Sequence, residues 1–171
     1  MSYFESNESK YVVTNVKDIL NKNLILSKPL NKNEAKSLNL SNTHFNYEEE
    51  NPLPKQWFCS INIGEWEDVE IIVQGNNEKP YTEFIEMAEQ IFNQLHQHLS
   101  RALKYLKEFF PALEVDDFYL STISFGNMVN FTEHIISGFS VAFYGDYPYD
   151  FQYKVKFKED GWPIGFEGGP L

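Results

Sequence analysis

Apolar residues recur at three- and four-residue steps from Thr82 to Phe110, the longest regular pattern in the chain. Phe84, Ala88, Ile91, Phe92, Leu95, Leu99, Ala102, Leu103, Leu106 and Phe110 fall on one stripe at the helical period. Thr82 can cap the start, Glu83 and Glu86 suit the positive end of the helix dipole, Lys104 and Lys107 suit its negative end, and Pro111 stops it. No Gly or Pro interrupts the stripe. The spacing predicts one continuous helix, roughly 40 Å long at about 1.5 Å per residue.

The segments on either side follow a period of two. "WFCSINI" and "VEIIVQG" flank the short acidic connection "GEWED", which predicts a hairpin near 57–63 and 69–74. After the helix, "DFYLSTISF" reads as a strand, and "FSVAFYG" as another. Met128 to Phe131 either extends the first of these or precedes a helical turn capped by Thr132. In "DFQYKVKFK", Phe151, Tyr153, Val155 and Phe157 alternate with Gln152, Lys154, Lys156 and Lys158, so one face is buried and the other wet. "EDG" turns the chain into "WPIGFE", a short last strand whose Pro163 suits a sheet edge.

Residues 1–54 have a different composition. Ten asparagines lie between Asn7 and Asn51, and the segment closes on the acidic, proline-containing run "EEENPLPK". Within it, Val12, Val13, Val16, Ile19 and Leu20 have roughly helical spacing. The organisation expected is an N-terminal appendage and linker over 1–54, helical or irregular, followed by one domain over 55–171. Two strands, a helix and then three or four strands joined by short connections predict an α+β fold. Its sheet would be largely antiparallel, with the long helix packed across one face.

At 171 residues, with fifteen Phe, ten Tyr and three Trp, the chain has ample material for a single core. Its net charge is −11, and Arg101 is its only arginine, so clustered positive charge for phosphates and bidentate base readout is missing. A nucleic-acid partner is excluded on that ground; a basic protein partner is favoured, and solubility is the plain alternative. "MSYFESNESK" lacks the basic flank and apolar run of a secretion signal, and no apolar run approaches the ~18 residues of a membrane helix. The expectation is a cytoplasmic protein with no membrane partner.

Cofactor and catalytic chemistry find no foothold in the motifs. His96 and His98 are two apart on the predicted helix and point to different sides, while His44 and His134 lie in unrelated segments, so no metal site is predicted. Cys59 is a lone cysteine in an apolar run and reads as a small buried thiol. There is no nucleophile elbow and no glycine-rich phosphate loop. Carboxylate pairs are common, among them Asp116 with Asp117, but turn-forming or solvated acids are the better reading of each. No cofactor and no catalytic residue is predicted.

What remains is a repeated combination of aromatic rings and acids in predicted loops. "GEWED" carries Trp66 among Glu65, Glu67 and Asp68; "YGDYPYDF" carries Asp146, Tyr147, Tyr149 and Asp150; the last turn carries Trp162. Tyrosine and tryptophan present large rigid area at small entropic cost, which makes them interface anchors. The same rings could equally pin their loops to the core. Both readings stay open at the level of sequence.

The order "WFCSINI", "VEIIVQG", helix, "FYLSTISF", "FSVAFYG", "YKVKFKEDGWPIGFE", together with the acidity, resembles small bacterial domains of uncharacterised function. Some of these are similar to immunity proteins encoded beside polymorphic or contact-dependent toxins. The resemblance covers residues 57–170 and carries no diagnostic motif. It implies a non-catalytic protein that binds and occludes a basic cognate toxin. A small ligand-binding or carboxylate-based enzyme domain is the first alternative. A self-associating structural protein, pairing near "WPIGFE", is the second.

Overall fold

The computed structural model describes residues 8–26, 55–114, 118–129, 134–145 and 150–170. A 3₁₀ turn at Glu8–Tyr11 leads into α1 (Val16–Asn23) and the two-residue strand β1 (Ile25–Leu26). Strands β2 (Lys55–Ile63) and β3 (Trp66–Gly75) form the predicted hairpin. Helices α2 (Thr82–Asn93) and α3 (Leu95–Phe109) follow, and then β4 (Tyr119–Val129), β5 (Ile135–Gly145), β6 (Phe151–Lys158) and β7 (Pro163–Pro170).

All seven strands form one sheet in chain order. The expected largely antiparallel sheet under one long helix is corrected on two counts. First, the sheet is mixed: β3 and β4 are parallel, with Glu70 opposite Thr122 and Val73 opposite Phe125. A hairpin reverses the chain, but a helical crossover that spans the sheet's height brings the next strand back in at the same end, and hence parallel. Second, the helical stretch is two short helices, making three with α1. At Gln94 the backbone leaves helical geometry, with φ −132° and ψ 34°.

Gln94 is neither glycine nor proline, so its residue type does not account for the break. A straight helix of roughly 40 Å would overshoot strands of ten or eleven residues, which extend about 35 Å. The break leaves the buried spacing in phase: Ile91 and Phe92 precede it, and Leu95 and Leu99 follow. A one-residue kink that keeps the three-four rhythm leaves no mark on hydrophobic periodicity. Thr82 is the first helical residue; the N-cap is Tyr81, with no side-chain cap bond.

The helices line one face of the sheet. Beneath them lie Ile71 and Val73 of β3, Ile123 and Phe125 of β4, Phe139, Val141 and Phe143 of β5, and Phe151, Tyr153, Val155 and Phe157 of β6, all buried in one cluster. The Phe139 and Phe157 rings stack at 4.7 Å between centroids and only 1° from parallel. Residues 8–26 contribute Tyr11, Val16, Leu20 and Leu24 to this same core, and β1 pairs with β2. Cys59 is buried there, and burial raises the pKa of its thiol.

The other face carries no helix among the described residues. The alternate residues of β6 emerge here: Gln152 and Lys158 are exposed, Lys154 and Lys156 half-buried. The period-two reading of this strand holds residue by residue.

Candidate functional site

Strand directions sort the predicted loops onto two ends of the sheet. The β2–β3 turn, the start of β4, the end of β5 and the start of β6 lie at one end; the β6–β7 turn lies at the other. Glu65, Glu67, Asp68 and Asp150 are therefore brought to a common end, and each is exposed. Trp162 belongs to the opposite end. Asp146, Tyr147 and Tyr149 lie outside the described residues.

Trp66 takes the structural role. It is half-buried, packs against the core, and meets the Tyr11 ring at 5.2 Å. Glu65 pairs with Lys10 at 3.3 Å, which ties the same turn to the N-terminal segment. Gly64, at φ 61°, makes the turn possible; a Cβ there would lie 2.7 Å from the Lys10 carbonyl oxygen. Asp68, also left-handed at φ 53°, donates its N–H to Asn62 Oδ1 at 3.0 Å.

Two rings not singled out by sequence complete the acidic end. Tyr119 and Tyr144 are direct cross-strand partners on β4 and β5, and remain 42% and 40% exposed. The Tyr119 hydroxyl donates to the Glu67 carbonyl at 2.5 Å and accepts from the Glu67 N–H at 3.1 Å, locking the ring beside the acidic turn. The alternation in "FSVAFYG" already places Tyr144 opposite in sense to buried Phe143. Tyr119 is legible only once the pairing register is known.

Below this end, the open face forms a shallow trough. Its floor is made of small residues in the two central strands, Thr122, Ser124 and Gly126 on β4 and Gly138, Ser140 and Ala142 on β5. Two depressions of about 190 and 420 Å³ share Ile72, Ser124 and Lys154. Gln74 forms one wall, donating to the Asn127 carbonyl at 2.9 Å and accepting its N–H at 2.8 Å. On the other wall, Glu167 is paired with both Lys156 and Lys154. The hydrogen bond from Lys156 and the two lysine charges together lower the Glu167 pKa.

At the far end, Trp162 is 71% exposed. It lines a cleft of about 320 Å³ with Pro163, Arg101, Lys104, Tyr105 and Glu108. The setting is mixed in charge: Arg101 and Lys104 line the cleft together with Glu108. Asp160 accepts the Trp162 N–H at 3.1 Å, as a turn residue. Arg101 donates to the Gly161 carbonyl at 3.4 Å.

Under this turn lies His98, buried edge-on against Phe139 at 5.1 Å and Phe157 at 6.3 Å. Its Nδ1 has no hydrogen-bond partner among the described residues. Burial, followed by the nearby charges of Arg101 and His96, lowers its pKa to about 4, so the ring is neutral at physiological pH.

Among the described residues, no group of three or more His, Cys, Asp or Glu is arranged to hold a metal ion, and no helix is long and apolar enough to cross a membrane. No family model matches the chain, and no curated protein or solved structure matches it either.

Proposed function

We propose that this chain is a non-catalytic protein-binding module and, more narrowly, an immunity protein that occludes a basic cognate toxin with the acidic end of its sheet. One observation carries the reading: Tyr119 and Tyr144 stand side by side and exposed, flanked by Glu65, Glu67, Asp68 and Asp150. Rigid rings supply contact area that loses little entropy on binding, and carboxylates around them attract a cationic partner and pair with it at the rim. A net charge of −11 adds long-range steering, which salt screens beyond about 8 Å at physiological ionic strength. The resemblance to immunity domains agrees in acidity and in element order.

The test is affinity capture from the native lysate at low and high salt, repeated with Tyr144→Ala and with Glu67→Lys/Asp150→Lys. The expected result is one basic protein, held stoichiometrically, retained better at low salt and lost to both variants. Co-expression with that protein should relieve its toxicity in the wild type only. A partner that binds the charge-reversed variant equally well would overturn the reading, as would the absence of any stoichiometric partner.

A further inference from the structure

The floor of the open trough holds a hydroxyl with no bond of its own. Ser140 is only 5% exposed, yet it faces away from the helices, because Phe139 and Val141 on either side of it fill the core. Its side chain lines the smaller depression, and no hydrogen bond reaches its Oγ among the described residues. A polar group held that far from bulk solvent is costly until something entering the depression bonds to it.

Strand register sets Ser140 in a row across four strands. Ile72 on β3 faces Ser124 on β4, Ser124 faces Ser140 on β5, and Ser140 faces Lys156 on β6. An apolar side chain, two hydroxyls and an ammonium thus follow one another across roughly 14 Å, at about 4.8 Å per strand. Met128 and Lys154 also line this depression, and no Asp or Glu is among the described residues that do. Glu70 and Glu167 line the larger depression instead. Glu167 reaches the lysines from the β7 side, pairing with Lys156 and, at 3.8 Å, with Lys154. Two ammonium groups against one carboxylate leave one positive charge. Each ammonium also has three donors, more than a single carboxylate uses.

We propose that the smaller depression binds a small organic acid with one carboxylate and an apolar body. The carboxylate accepts from the Ser140 and Ser124 hydroxyls and from the donors of Lys156 and Lys154 that Glu167 leaves over. The apolar body lies against Ile72 and Met128. Glu167 acts as an internal counter-ion that competes with the ligand for the two lysines. This site lies on the open face, away from the acidic tyrosine end, so it and the toxin-binding reading stand or fall separately.

Titration of the full chain with sodium benzoate, followed by NMR of the backbone amides at fixed ionic strength, provides the test. Benzamide serves as the uncharged probe of the same shape, and circular dichroism checks the folding of each variant. Benzoate should give saturable shifts centred on Ser124, Ser140 and Lys156, and benzamide should bind about tenfold more weakly. Ser140→Ala and Lys156→Met should each weaken benzoate by about tenfold, since each removes a hydrogen bond to a charged group. Glu167→Gln should tighten it. Glu89→Gln makes the same change in net charge at an exposed position on α2 and should leave the affinity unchanged. Four results would each overturn the proposal: no saturable shift, equal binding of benzoate and benzamide, a folded Ser140→Ala chain that binds like the wild type, or Glu167→Gln behaving like Glu89→Gln. No foreign protein enters this titration, so its failure is distinct from failure of the toxin-binding reading.

Discussion

The β2–β3 and β6–β7 turns are built alike and end up opposite. Each has a left-handed glycine, Gly64 at φ 61° and Gly161 at φ 88°, closely followed by a tryptophan and surrounded by acids in the sequence. Each glycine is covered by another element: the Lys10 carbonyl lies over Gly64, and Arg101 and His98 of α3 lie over Gly161. Yet Trp66 folds inward onto Tyr11, and Trp162 projects into solvent. The difference lies in what covers each turn. The N-terminal turn offers Trp66 an aromatic partner. At the other end, helix α3 fills the space under the turn with His98 and leaves the indole outside. An aromatic ring in a turn is thus a core residue or a surface residue according to an element far away in sequence.

The largest effect that sharpens this contrast is expected from Trp66→Ala. Removing a ring packed on Tyr11 and the core should cost about 3 kcal/mol, read from urea unfolding. It should also loosen residues 8–11, seen as faster amide exchange there. A change below ~0.5 kcal/mol, the usual range for surface substitutions, would move Trp66 to the surface class.

Acidification should weaken the other turn selectively. His98 has a folded pKa of about 4, below the ordinary 6.5, so the unfolded chain takes up its proton first as pH falls. The stability it contributes is intact above pH 6.5 and is lost as pH falls toward 4, at about 1.4 kcal/mol per pH unit within that window. By pH 5 the loss should reach about 2 kcal/mol. His98→Phe should flatten this part of the pH profile, in urea melts at pH 7 and pH 5. An unchanged slope in the variant would show that other groups carry the acid sensitivity.

The smallest effect belongs to Trp162→Ala, expected within ~0.5 kcal/mol because the ring is largely solvated. If the variant unfolds substantially more easily, the indole is part of the core and the two turns are alike after all.

The sequence was legible where neighbours within one element carry the information. Phe151, Tyr153, Val155 and Phe157 are buried as their alternation requires, and the stripe from Phe84 to Leu106 is buried at its own period. The hairpin between Ile63 and Trp66 and the placement of Pro163 at an edge strand were equally local. The break at Gln94 was not legible, because it leaves the phase of that stripe undisturbed. Nor was the parallel pairing of β3 with β4, since the hydrophobic pattern of a strand does not say which end the chain returns to.

The candidate site follows the same division. Glu65, Glu67, Asp68 and Asp150 could be picked out as exposed acids, but their convergence on one end depends on strand directions. Tyr119 beside Tyr144 is a consequence of register, and Arg101 beside Trp162 joins residues sixty-one positions apart.

By itself the sequence determined which residues of each strand and helix face inward, because side-chain period is a property of the local backbone. It also determined the acidity that sets the sign of any long-range attraction. Only the tertiary structure decided that Trp66 is half-buried against Tyr11 and Trp162 exposed, that Gln94 breaks the helix, and that the acids and tyrosines share one end. These outcomes depend on distances between elements remote along the chain, which close packing resolves and local periodicity does not encode.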